Sequence, residues 1–110
     1  MEIITKEVDV NGIKFFALLE GKEVGRVFLY ILRNDLHPEP FGFLEDLFVE
    51  EAHRRQGLAT SLIKEAVRLA KEQGCYKLIG TSRFSREELH KFYEGAGFKK
   101  HGFEFRADFK

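Results

Sequence analysis

The chain is short of the residues that staple or interrupt a fold. Cys75 is the only cysteine among 110 residues, so no disulfide can form within it and nothing suggests a secreted, disulfide-stapled scaffold. His37, His53 and His101 lack the spacing of metal ligands, and with a single cysteine no metal site is expected. Charge of one sign is missing too: 18 basic residues meet 18 acidic ones, which argues against nucleic acid as the main partner. No run approaches the roughly 20 apolar residues that span a bilayer. Met1 is followed by charged, alternating sequence and no apolar signal segment, so a cytoplasmic protein without a membrane partner is expected. Repeats, low-complexity tracts and linkers are absent, and a single domain over residues 1–110 is the natural division.

What is present suits a packed core, with 44% hydrophobic residues and 12 phenylalanines. Residues 2–10 alternate like a strand, and Asn11-Gly12 after them is a strong signal for a two-residue hairpin turn. Residues 13–19 form the expected return strand, Glu20-Gly21-Lys22 turns the chain again, and residues 23–32 make a longer strand. A polar loop, 33–40, holds both prolines, Pro38 and Pro40. Strand character resumes over Phe41–Val49. From Leu58 the period changes: Leu62, Ile63, Ala66, Val67 and Ala70 recur at helical spacing, and Gly74 stands where a C-cap belongs. Residues 77–80 read as a short buried strand. Ser85-Arg86-Glu87-Glu88 reads as a capping box opening a second helix, with Leu89, Phe92, Tyr93 and Ala96 as its apolar stripe and Gly95 or Gly97 as its end. Residues 98–109 close the chain as a strand, bent at Gly102. The fold class is α/β with a mixed sheet: antiparallel N-terminal strands, then β-α-β-α-β.

The segment Arg54-Arg55-Gln56-Gly57-Leu58-Ala59 lies between a strand and a helix. The first turn of a helix offers unpaired N–H groups and the positive end of the helix dipole. Gly57 and Ala59 are small enough for a phosphate to approach the main chain, and the two arginines can add charge-assisted bonds. An ordinary solvated helix start would look similar over six residues, so context decides.

With Leu44-Glu45-Asp46-Leu47-Phe48-Val49 before it and an amphipathic helix after it, Arg-x-x-Gly-x-Ala resembles the signature of the GNAT superfamily of acetyl-CoA-dependent N-acetyltransferases. Leu89-His90-Lys91-Phe92-Tyr93-Glu94-Gly95-Ala96-Gly97-Phe98 resembles a second segment of that family, in the same order and at its usual separation. The resemblance implies that the Phe41–Val49 strand splays from the next parallel strand. The cofactor's pantetheine arm would lie in that gap, paired with main-chain groups of Leu47, Phe48 and Val49. Main-chain N–H groups of Gln56, Gly57, Leu58, Ala59 and Thr60, with Arg54 and Arg55, would hold its pyrophosphate. Tyr93 matches the tyrosine that often acts as general acid near the cofactor sulfur. Glu45 and Asp46 are the base candidates, with Glu45 favoured. Adjacent on a regular strand, they would face opposite sides of the sheet unless a bulge intervenes.

The sequence departs from the family's pattern in two places. Arg86 stands where many members carry asparagine seven residues before the tyrosine, which leaves that contact to Ser85 or Arg86. His90, three residues before Tyr93, is expected to be structural or exposed. The family's usual two helices between its first two strands are missing, replaced by the hairpin at Asn11-Gly12. An acceptor site so exposed would be open, or completed by the 34–40 loop or by a second subunit in a homodimer. The resemblance implies transfer of an acetyl group to a small polar amine; Gly74-Cys75-Tyr76-Lys77-Leu78-Ile79 resembles amino-sugar enzymes, and the Arg86 and His90 variant resembles aminoglycoside and aminophosphonate enzymes. A module of the same fold that binds acyl-CoA or another protein without turnover is the alternative.

Overall fold

The computed structural model describes residues 1–83 and 85–110; Phe84 lies outside the described residues. The chain forms two compact units, Met1–Ile79 and Gly80–Lys110.

The first unit is built on a twisted sheet in the order β1-β2-β3-β4. β1 (Val10–Leu19) and β2 (Lys22–Leu32) are antiparallel, as are β2 and β3 (Phe41–Val49). β4 (Leu78–Gly80) joins the far side of β3. Tyr76 N–H bonds to Pro40 O and Gly42 N–H to Lys77 O, so both chains advance in the same direction and the sheet is mixed.

Alternation in β2 and β3 sets the core. Val27, Leu29 and Ile31 on β2 and Leu44 and Val49 on β3 are buried on one face. Helix α1 (Leu58–Glu72) covers that face with Leu62, Ile63, Ala66 and Ala70, spaced at i, i+1, i+4 and i+8. Gly42 lets the helix and β4 close over the sheet: a Cβ there would stand 2.7 Å from Leu78 Cδ1 and 3.8 Å from Ala70 Cβ. α1 ends as its sequence demands. Gly74 is left-handed (φ 80°), its N–H bonds to Lys71 O, and Cys75 N–H bonds to Ala70 O, the paired bonds of a Schellman cap.

Three expectations are corrected. Residues 2–9 form no strand, and Asn11-Gly12 makes no hairpin; both residues lie inside β1, opposite Ile31 and Tyr30. The turn is at Glu20-Gly21, both left-handed, with Leu19 paired to Lys22. β2 offers ten partners to a strand that starts at Val10, and pairing over that length outweighs local turn propensity. Residues 98–109 form no strand either: Phe103, Phe105 and Phe109 stay exposed. Alternation alone does not make a strand without a neighbour to bond. In the second unit, α2 spans Glu87–Gly95, two residues later than expected. Its N-cap is Arg86 and no side chain caps it, so the Ser85 capping box does not form.

Leu29 is fully buried on the central strand, so Leu29→Ala should cost about 2–5 kcal/mol in urea denaturation. Leu36→Ala, on an exposed loop residue, should change stability by no more than about 0.5 kcal/mol.

Candidate active site

β3 ends at Val49, a single 3-10 turn follows at Glu51–His53, and the chain then bends sharply into α1. Arg54 is extended, Arg55 is left-handed (φ 64°) and Gly57, the N-cap, is left-handed again (φ 81°). No side chain caps α1. Ser61 N–H makes the first helical bond, to Gly57 O at 3.0 Å, so the N–H groups of Leu58, Ala59 and Thr60 precede any helical acceptor. The space where a Gly57 Cβ would stand is open to 4 Å, and Gln56, Gly57 and Thr60 are exposed. A phosphate fits this arrangement: bare donors, a favourable dipole and a glycine at the turn.

The arginines divide their work. Arg54 Nε donates to Val49 O at 2.8 Å, and its guanidinium lies 5.6 Å from the centre of the Phe48 ring, which ties the loop back to the end of β3. Arg55 is exposed. Leu58 turns its side chain toward the sheet, 3.0 Å from where a Gly25 Cβ would be, so its main-chain N–H is what it can offer a ligand.

On β3 the ladder breaks where the base candidates stand. Arg26 pairs with Phe48 and Phe28 with Glu45, so Val27 alone faces both Asp46 and Leu47. This is a β-bulge with Asp46 left-handed at φ 56°, a conformation costing a non-glycine residue about 1 kcal/mol or more. Arg26 and Phe28 share one face of β2, so Phe48 and Glu45 share it too, although three residues apart. Glu45 and Asp46 are both exposed. Asp46 is ion-paired with Arg26, whose Nε lies 3.3 Å from Oδ2 and whose Nη2 lies 3.2 Å from Oδ2. The sequence reading passed over Arg26; its signal is a charge between the buried Val24 and Val27, inside the apolar part of the strand. Leu47 is half-buried, Phe48 exposed and Val49 buried. β4 has three residues against nine in β3, so among the described residues most of β3 has no strand beside it on that side.

In the second unit, Tyr93 is half-buried on α2. Its ring lies over Gly80, where a Cβ would come within 3.2 Å, and meets Phe92 and Phe98 edge to face at 5.7 and 5.3 Å. Ser85 and Arg86 are exposed, and Arg86 pairs with Glu88. His90 Nε2 sits 2.8 Å from Arg83 O, tying α2 to the segment before it. Burial pushes the Cys75 thiol up from its ordinary pKa, against a smaller opposing pull from Arg33, so it is a poor nucleophile. Among the described residues no cluster of histidine, cysteine or carboxylates could hold a metal ion. An open groove of about 400 Å³ runs between Phe15, Phe16 and Ala17 of β1 and Leu58, Ser61 and Leu62 of α1. Of the expected site residues only Leu58 lines it.

The profile of the acetyltransferase (GNAT) family matches residues 3–98. The aminoglycoside N(6')-acetyltransferase type 1 of Acinetobacter haemolyticus is 34% identical over 67 residues, covering 61% of this chain and 46% of that protein. Glucosamine 6-phosphate N-acetyltransferase of Trypanosoma brucei brucei is 36% identical over 67 residues, covering 61% and 44%. The chain thus spans less than half the length of these curated relatives. A crystal structure of a Trypanosoma brucei acetyltransferase superposes with a TM-score of 0.78 at 31% identity, over 90% of this chain and 68% of that one. The family profile spans residues 3–98, with the bulged strand and the uncapped helix start inside it, and the chain belongs to the acetyltransferase (GNAT) family.

Proposed function

We propose that the protein is an acetyl-CoA-dependent N-acetyltransferase that acts on a primary amine of a small polar acceptor by direct attack, with residues 1–110 working as one domain. The observation that carries this reading is the first turn of α1, left uncapped behind an exposed, left-handed Gly57. The two curated relatives are named for acetylating an aminoglycoside and glucosamine 6-phosphate, both small polar amines.

Acetyl-CoA supplies the acetyl group as an activated thioester. The N–H groups from Gln56 to Thr60, with Arg54 and Arg55, bind its pyrophosphate, and main-chain groups of Leu47, Phe48 and Val49 take its extended arm as an added strand. An N–H of Leu47 or Phe48 polarises the carbonyl. Tyr93 holds the proton for the departing thiol, whose ordinary pKa of roughly 8.5 lies just below the roughly 10 of a phenol. Glu45 takes the amine proton, directly or through water. Asp46 is the weaker candidate because its carboxylate is engaged by Arg26.

A second reading, an acyl-CoA-binding module without turnover, draws on the exposure of both β3 carboxylates and the engagement of Asp46 by Arg26. Thermal-shift titration with coenzyme A and a thiol-release assay with acetyl-CoA against a panel of amino sugars, aminoglycosides and simple amines separate the two. Coenzyme A at 100 times its Kd should stabilise the fold by about 2.7 kcal/mol. Stabilisation without thiol release on any amine selects the binding module, and no stabilisation defeats both readings.

Tyr93→Phe should lower turnover about a hundredfold and leave the Kd for coenzyme A within about twofold. Gly57→Val should do the reverse, weakening coenzyme A first. With no atom near the site of the new Cβ, its cost in stability comes from the left-handed backbone, about 1–2 kcal/mol by urea denaturation. Gly57→Asn, which tolerates that conformation better, should lose less of both.

A further inference from the structure

We propose that Arg26 is a positioning residue for acetyl transfer: its guanidinium clamps the β3 bulge and so fixes where the Leu47 and Phe48 main chain points. The inference rests on the acetyltransferase reading above and extends it to a residue on a strand outside the cofactor motif.

Arg26 reaches both neighbours of Leu47. On one side its Nε and Nη2 lie 3.2–3.3 Å from the two carboxylate oxygens of Asp46. On the other its guanidinium carbon lies 5.0 Å from the centre of the Phe48 ring, the residue with which Arg26 is paired across the sheet. Leu47 is therefore bracketed by two contacts to a single side chain. Glu23 lies 3.9 Å from Arg26 Nη1 and is itself bonded to Lys14, which anchors the arginine from β1 and β2.

The clamp has a job because the bulge is strained. Asp46 holds a left-handed backbone that a side chain disfavours, and a bulge can relax by slipping the extra residue along the strand. Slippage by one residue would reverse the faces of Leu47 and Phe48 and turn their N–H and C=O groups with them. A lysine in place of Arg26 would keep the charge and lose the planar fork that grips both oxygens. The pyrophosphate loop is held independently, through Arg54 Nε on Val49 O and the start of α1, so losing Arg26 should leave most of the cofactor's grip intact.

The test uses the full chain, coenzyme A, and acetyl-CoA with the best amine of the panel. Arg26→Met should lower kcat roughly tenfold and weaken coenzyme A, whose arm lies on the same main chain, by a clearly smaller factor. Backbone hydrogen exchange over residues 45–49 should quicken in the same variant, and Arg26→Lys should fall between it and wild type. Adding Asp46→Gly to Arg26→Met should restore part of kcat and slow the exchange again, because glycine takes the left-handed bend unaided. An unchanged kcat, a matching loss of coenzyme A affinity, or unaltered exchange overturns the proposal while the wild-type activity stands. If Arg26→Met does not fold, Arg26→Lys decides on the same readouts with a smaller loss. A wild-type protein that releases no thiol on any amine overturns the acetyltransferase reading, and the positioning role falls with it; that failure shows before any variant is made.

Discussion

A helix that begins without a cap leaves its first N–H groups in need of an acceptor, and α1 begins that way. The sharp left-handed bends at Arg55 and Gly57 deliver the chain from the end of β3 into the helix within a few residues. The helix axis is then fixed by what lies beneath it. Gly25 removes a side chain under Leu58, and Gly42 removes one under Ala70, so α1 settles close on β2 and β3 at both ends. Packing of Leu62, Ile63, Ala66 and Ala70 stabilises the helix and, by the same contacts, holds the bare N–H groups in place. Donors held this way need no flexible side chain to present them.

β3 is used differently along its length. Its first half is a core strand: Gly42 and Leu44 are buried, and the main chain bonds to the β4 segment at Pro40 and Gly42. Its second half breaks register at Asp46, is exposed at Glu45, Asp46 and Phe48, and has no strand beside it on the β4 side among the described residues. One strand thus has strands on both sides at its start and, among the described residues, only β2 beside it toward its end, where Val49 returns to the core and its carbonyl accepts from Arg54. The bulge is what separates the two, and Arg26 is the side chain that meets it.

Much of this was legible because the residues concerned obey local rules. Gly74 closes α1 in the bond pattern its position predicts, Phe41–Val49 is a strand over the expected residues, and the Arg54 to Ala59 segment is a strand-to-helix turn. What failed depended on distant partners. Glu20-Gly21 turns the chain as expected, whereas Asn11-Gly12, an equally good local signal, is held extended in β1 by pairing with β2. Residues 98–109 alternate well, yet alternation does not supply a neighbouring strand. Ser85 had the right chemistry for a cap, but the helix starts two residues later, with the segment before it tied through Arg83 O to His90.

The bulge itself could not be read from Glu45-Asp46, because nothing in two adjacent carboxylates states whether the pleat between them is regular. Regular alternation would put Glu45 and Phe48 on opposite faces. The register puts them on the same one, with Asp46 taking up the extra residue and Arg26 answering its charge. The question of which carboxylate faces which side therefore has a different form from the one strand geometry poses. The two are distinguished by their partner: Asp46 is ion-paired with Arg26, and Glu45 is exposed with Phe28 opposite it. Any chemistry on this strand must use what the bulge leaves over.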